Sequence, residues 1–125
     1  MISIVEDDSS VREAAVSLLR SNGFVAESFS SAAEFLSSAG AREPGCLILD
    51  LRLPGMNGLE LQHRLAVEGR HIPIVFITAH RNPEAQAQAM RAGAIAFLSK
   101  PFSEEALLGS IRLALENPTE TNQTK

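Results

Sequence analysis

Four short apolar runs break off at polar residues with reactive side chains. Ile2-Ser3-Ile4-Val5 runs into Glu6-Asp7-Asp8, Leu47-Ile48-Leu49 into Asp50, Ile74-Val75-Phe76-Ile77 into Thr78, and Ala96-Phe97-Leu98-Ser99 into Lys100-Pro101. Between them lie longer stretches with helical spacing. Ser9-Ser10 stands as a cap ahead of Val11, Ala14, Ala15, Leu18 and Leu19, which follow the i, i+3, i+4 rule as far as Asn22-Gly23. Phe24 to Ser28 reads as a short strand, Ser31-x-x-Glu34 as a capping box before Phe35-Leu36, and the second unit closes near Gly40. Pro44-Gly45 turns into the third run. The turn-rich segment Arg52 to Gly58 then leads to a helix carrying Leu59, Leu61 and Leu65. Pro83 to Ala92 is an Ala/Gln-rich helix stopped by Gly93, and Ser103-Glu104-Glu105 opens a last helix with Leu107, Leu108, Ile111, Leu113 and Leu115. Strand-like runs alternating with helices predict βα units on a parallel sheet. Five units fit the 125 residues as one α/β domain, over residues 1–116.

Composition narrows the field. The chain is 45% hydrophobic with no Trp or Tyr, which describes an aliphatic interior rather than a stacking surface for bases or a flavin. A net charge of −4 and no Lys/Arg cluster argue against direct nucleic-acid binding by this segment. The single Cys46 lies in an apolar run and reads as a small core residue. No run approaches the roughly 18 apolar residues of a membrane span, and no charged, apolar and cleavable leader follows Met1, so a cytoplasmic location is expected. The polar stretch 117–125 holds no apolar residue except Pro118 and reads as a linker.

In an open parallel sheet, ligands bind beyond the carboxyl ends of the strands. The four polar clusters all fall at such ends. Alone, each reads as a cap or a solvated loop residue; together they supply the parts that aspartyl phosphorylation needs. Asp50 is the candidate nucleophile. A carboxylate meeting an anionic phosphoryl donor faces charge repulsion, and a divalent ion held by the neighbouring acids offsets it. Mg²⁺, or Mn²⁺, suits such oxygen ligands. Thr78 offers a hydroxyl to one phosphoryl oxygen and Lys100 a point charge to another. The Lys100-Pro101 bond is open to either isomer.

These residues carry a family resemblance. Glu6-Asp7-Asp8, Asp50-x-x-Leu53-Pro54-x-Met56-Asn57-Gly58, Thr78-Ala79 and Ala92-Gly93-Ala94 through Phe97-x-x-Lys100-Pro101-Phe102 resemble the receiver domain of two-component response regulators. The resemblance covers residues 1 to about 116 and implies a doubly wound, flavodoxin-like (βα)5 fold with strand order 2-1-3-4-5. It implies that Asp50 takes phosphate from the phosphohistidine of a sensor histidine kinase. Asp7, Asp50 and the backbone carbonyl of Arg52 would ligate the metal, with Glu6 acting through water. The family more often has Asp where this chain has Glu6, and Asp7/Asp8 is the other register for the acid pair. The family's switch maps to Thr78 and Phe97, Phe97 moving inward as Thr78 turns to the phosphate. Arg52 and His80 would tune phosphate lifetime, whereas His63 and His71 read as surface residues without metal-ligand spacing.

Competing readings rest on specific positions. A haloacid-dehalogenase-like phosphatase wants a second Asp where Arg52 stands, and a flavin binder wants a hydroxyl-rich loop where Glu6-Asp7-Asp8 stands. A stand-alone receiver or a phosphate-independent interaction module remains the alternative. Loop and tail character resemble the NarL/FixJ class, which implies a DNA-binding output domain after the polar tail. The charge balance and the absence of long apolar runs predict DNA contact only through that domain and no membrane partner. The Ala/Gln-rich, weakly anchored helix 83–92 between the Thr78 loop and strand 5 is the ground for expecting homodimerisation through helix 4 and strand 5 on phosphorylation. The receiver would catalyse only its own modification and is expected not to be an enzyme on an independent substrate.

Overall fold

Every residue of β1 (Ile2–Val5), β3 (Cys46–Asp50) and β4 (Ile74–Thr78) is buried. Strands apolar throughout belong inside a sheet covered on both sides. The computed structural model describes residues 1–38 and 43–116. It arranges five parallel strands in the order β2-β1-β3-β4-β5, with β2 (Ala26–Phe29) and β5 (Ala96–Ser99) at the less buried edges. The fold is the doubly wound flavodoxin-like one expected from the sequence.

Side-chain alternation along the strands divides the interior in two. Ile2, Ile4, Cys46, Ile48, Val75 and Ile77 point to one face. There they meet Ala15 and Leu19 of α1 (Ser9–Ser21) and Leu107, Leu108, Ile111 and Ala114 of α5 (Glu104–Glu116). Val5, Leu47, Leu49, Ile74 and Phe76 point to the other face, covered by α2 (Ala32–Ser37), α3 (Gly58–Val67) and α4 (Pro83–Arg91). The last of these helices buries only Ala85 and Ala89.

Element ends show where local chemistry differs from the sequence reading. The cap of α1 is Asp8, not Ser9 or Ser10: its carboxylate accepts the amides of Ser10 at 2.9 Å and Val11 at 3.3 Å, and both serines lie inside the helix. The β2 strand starts at Ala26 because the Phe24 amide still donates to the Leu19 carbonyl, at 3.0 Å, closing α1. In α2 the Ser31 hydroxyl accepts the Glu34 amide as a capping box requires, but the Glu34 carboxylate takes the Ser30 amide, one residue earlier than the box expects. On α5, Ala114 faces the core, while Leu113 and Leu115 are 47% and 40% exposed, because the buried stripe follows the helical period through Leu107, Leu108 and Ile111. The expected close of the second unit at Gly40 and the polar stretch 117–125 lie outside the described residues. Among the described residues, no helix is long and apolar enough to cross a membrane.

One contact fixes how closely β3 meets the next helix. Gly58 is the first residue of α3, and a Cβ there would lie 2.6 Å from the Asp50 carbonyl oxygen and 3.1 Å from Leu51 Cα and Phe76 Cε1. Gly58→Ala should therefore destabilise the fold by about 1–3 kcal/mol, as overpacking of a tight core does. Urea denaturation checks this; unchanged stability would mean that α3 has room to move away from β3.

Candidate functional site

Parallel register brings the ends of β1, β3, β4 and β5 to one edge of the sheet. Each contributes a polar group at its last residue or just beyond it. Glu6, Asp50 and Thr78 are almost wholly buried, at 1%, 4% and 0% exposure, whereas Asp7 is exposed. The carboxylates of Glu6, Asp7 and Asp50 offer oxygens that all lie within 4.8 Å of one another. Three hard oxygen donors at that separation fit a divalent cation of the Mg²⁺ kind. Asp8, the other candidate of the acid run, is occupied in capping α1.

Local bonds hold this edge. The turn after β1 is pinned by Arg12, whose Nη1 donates to the Glu6 carbonyl at 2.8 Å, and by the Asp8 amide, which donates to Glu6 Oε2 at 3.0 Å. The loop after β3 continues the ladder for one step, the Leu51 amide donating to the Ile77 carbonyl at 2.9 Å. Leu51 and Leu53 are buried beneath it, and Arg52 between them is exposed. The Arg52 amide donates to Asp50 Oδ1 at 3.3 Å, so the Asp50 carboxylate is oriented by its own loop.

From β5, the Lys100 ammonium sits 2.7 Å from Glu6 Oε1 and 3.5 Å from Asp50 Oδ2. The Lys100 amide donates to the Thr78 carbonyl at 2.7 Å, tying the two strand ends together, and the Lys100-Pro101 bond is cis. The Thr78 hydroxyl is engaged by its own loop: Oγ1 donates to the His80 carbonyl at 3.0 Å and accepts the His80 amide at 3.2 Å. Phe97 is half-buried, its ring 5.8 Å from that of Phe76 at a tilt of 34°. His63, His71 and His80 are all exposed.

Charge crowding dominates the electrostatics. Burial, and after it the negative charge of Glu6, push the Asp50 carboxyl up to about 7, against the opposing pull of Lys100 and the Arg52 amide. For Lys100, burial works against the ammonium, but the hydrogen bond to Glu6 and the charges of Asp50 and Glu6 outweigh it and raise its pKa. Cys46 is fully buried, and burial pushes its thiol up to about 12, which leaves it an unreactive core residue.

The sequence-predicted Glu6, Asp7, Asp50 and Lys100 thus meet at one point, Thr78 and Phe97 lie beside it, and Arg52 and His80 flank it. Arg12 is not singled out by the sequence, and Gly58 enters there only as the end of the turn-rich segment and of the family motif, with no steric role. Only the meeting of α1 with β1, and of α3 with β3, gives them their roles.

Comparison with known proteins agrees with this geometry. The family model for the response regulator receiver domain matches residues 2–112. Response regulator protein TmoT of Ectopseudomonas mendocina is 51% identical over 116 residues, 93% of this chain and 53% of its own. Transcriptional regulatory protein FixJ of Azorhizobium caulinodans is 35% identical over 119 residues, 95% of this chain and 56% of its own. Among solved structures, response regulator StyR superposes with a TM-score of 0.88 at 49% identity, covering 98% of this chain and 62% of that one. FixJ-N superposes with a TM-score of 0.85 at 36% identity, covering 92% of each. The chain spans about half the length of the curated relatives it matches.

The raised carboxyl has a measurable consequence without metal. Between the ordinary value of 3.8 and about 7 the folded chain keeps a proton on Asp50 that the unfolded chain has lost, so this group makes stability fall as pH rises through that window. Asp50→Asn should remove that slope and, with chelator at pH 8, stabilise the fold by on the order of 1–2 kcal/mol, less than the full shift because water and relaxation reach the site. Urea denaturation from pH 4 to pH 8 tests both points; equal slopes in the two proteins would mean that Asp50 is ionised like a surface carboxylate.

Proposed function

Because the chain belongs to the response regulator receiver domain family, we propose that Asp50 accepts a phosphoryl group from the phosphohistidine of a sensor histidine kinase and that the added charge switches the surface formed by α4 and β5. One observation carries the reading. A nearly buried carboxylate at the end of a central strand has one oxygen oriented by a backbone amide and the other beside an ammonium, with two further carboxylates within metal-sharing distance. The other parts follow from that placement.

In the transfer, an Asp50 oxygen forms the new bond to phosphorus as the nitrogen–phosphorus bond of the donor breaks, and the histidine leaves with the bonding pair. Asp7, Asp50 and the carbonyl of Arg52, with Glu6 through water, would hold Mg²⁺ or Mn²⁺, which would supply charge to offset repulsion between the carboxylate and the phosphoryl oxygens. The Lys100 ammonium holds a phosphoryl oxygen. The Thr78 hydroxyl exchanges the His80 carbonyl for another, and that exchange frees the loop after β4 and lets Phe97 repack against Phe76. Two packings separated by a few kcal/mol suffice, since a phosphoryl group contributes that much differential interaction. Arg52 and His80, exposed on either side, govern how easily water reaches the acyl phosphate.

The names of the relatives support a transcriptional output. FixJ is named a transcriptional regulatory protein, and the polar stretch 117–125 serves as a linker to a DNA-binding domain. DNA contact belongs to that domain, the setting is cytoplasmic, and phosphorylation favours a homodimer through the α4/β5 face. The receiver modifies only itself and turns over no independent substrate.

Intact mass after incubation with acetyl phosphate and Mg²⁺ tests the acceptor. The unsubstituted chain should gain one phosphoryl group, while Asp50→Asn and the chelated control gain none. Lys100→Ala should slow the gain about 100-fold, the scale on which one charge-stabilising donor acts. A folded, unsubstituted chain that gains no mass with donor and metal, or an Asp50→Asn variant that does, would sink the assignment. Size exclusion with beryllofluoride and Mg²⁺ tests the dimer separately, and an unchanged mass would remove that part alone.

A further inference from the structure

Glu6 is an odd member of the acidic set, because it is the most buried and its carboxylate is already engaged at both oxygens. Oε2 accepts the Asp8 amide at 3.0 Å, and Oε1 meets the Lys100 ammonium at 2.7 Å. Its backbone carbonyl is anchored by Arg12 at 2.8 Å, so the side chain leaves from a fixed point. The ion pair runs from β1 to β5, across the ends of β3 and β4. Asp50 lies beneath that span, yet the ammonium stands nearer to Glu6 than to Asp50, 2.7 Å against 3.5 Å.

That ordering matters because Lys100 and a divalent cation compete for the same carboxylate. An ammonium seated squarely on Asp50 would take up an oxygen that a cation needs and would repel the ion. Drawn to Glu6, it keeps only the longer 3.5 Å contact with Asp50 Oδ2, and a small movement of its stem would close that gap. The backbone of Lys100 is tied to Thr78 through the 2.7 Å hydrogen bond, so the flexible stem is the part that moves. Length enters here. A glutamate has one methylene more than an aspartate, and that reach lets a single carboxylate hold the Asp8 amide and the distant ammonium together.

We propose that Glu6 is a positioning residue for Lys100: it draws the ammonium to itself and limits it to the longer 3.5 Å contact with Asp50 while the acceptor is empty, favouring the divalent cation at the Asp50 oxygens, and yields it to the phosphoryl oxygens once they arrive. The proposal rests on the phosphoacceptor reading. It assigns Glu6 an action through Lys100 in addition to any water-mediated contact with the metal. The two actions differ in what happens when Glu6 is neutralised. A freed Lys100 falls onto Asp50 and weakens metal binding, so that removing the lysine restores it; a metal contact alone leaves Lys100 indifferent to Glu6.

A double-substitution cycle read by Mg²⁺ calorimetry separates them, using the unsubstituted chain, Glu6→Gln, Lys100→Met and the pair, each first shown to be folded by thermal unfolding. Lys100→Met should tighten Mg²⁺ binding in both backgrounds through lost repulsion, and by about tenfold more in the Glu6→Gln background, a coupling of the size found between groups in contact. Glu6→Asp, which keeps the charge and loses the reach, should show the same sign of coupling and serves if the Glu6→Gln variant does not fold. Equal factors in the two backgrounds overturn the proposal and leave the phosphoacceptor reading intact. An unsubstituted chain that binds no Mg²⁺ overturns both.

Discussion

The crowding of like charge at one sheet edge is the constraint to which the surrounding structure answers. Glu6 and Asp50 are both buried, Asp7 stands beside them, and the Lys100 ammonium is the cation placed among them. Two carboxylates taken out of water and set together cost several kcal/mol unless each is hydrogen-bonded and countered. The chain offsets that cost with backbone amides: Asp8 serves Glu6, and Arg52 serves Asp50. What remains uncompensated is expressed in the proton affinity of Asp50 and is the physical ground for expecting a divalent cation there.

Rigidity is concentrated under the acids, and freedom is left beside them. The turns after β1 and β3 are fixed by Arg12, by the Leu51 ladder bond and by the close seat of α3 at Gly58. On the other side, Thr78 commits its hydroxyl to the loop that follows it, a bond that can be exchanged for another acceptor with little net change in free energy. The helices are apportioned accordingly. The face bearing α1 and α5 carries long aliphatic side chains, while α4 rests on two alanines and a hydrogen bond from the buried Gln62 amide to the Ala89 carbonyl, at 3.1 Å.

Much of this was legible in the chain because strand burial and strand endings are both written locally. Runs such as Leu47-Ile48-Leu49 with a polar residue behind them announce a parallel strand and, by the geometry of such sheets, the edge at which the polar residue emerges. Legibility fails where a role depends on what arrives from elsewhere. Asp8 and Ser9 are equally good caps on paper, and the turn after β1 decides between them. Leu113 and Leu115 look like core until the helical period is phased by Ile111 and Ala114. Arg12 carries no signal of its own, since its role is defined by a carbonyl just beyond β1, and the motif that contains Gly58 does not say that a carbonyl on β3 leaves no room for a side chain there. The direction of the Thr78 hydroxyl and the preference of Lys100 for Glu6 are likewise choices among nearby partners, invisible to spacing.

The thin footing of α4 has a bearing on how cheaply a signal can be passed. A helix that buries only Ala85 and Ala89 sets little apolar surface against the sheet, and few buried apolar contacts are the mark of a segment that can open without the rest of the fold taking part. Such a segment needs no lever to move it. In the switch proposed for this protein, exchange of a single hydrogen-bond partner at the head of the preceding loop would be enough to bias where such a helix rests, and the core beneath β3 would not be asked to deform.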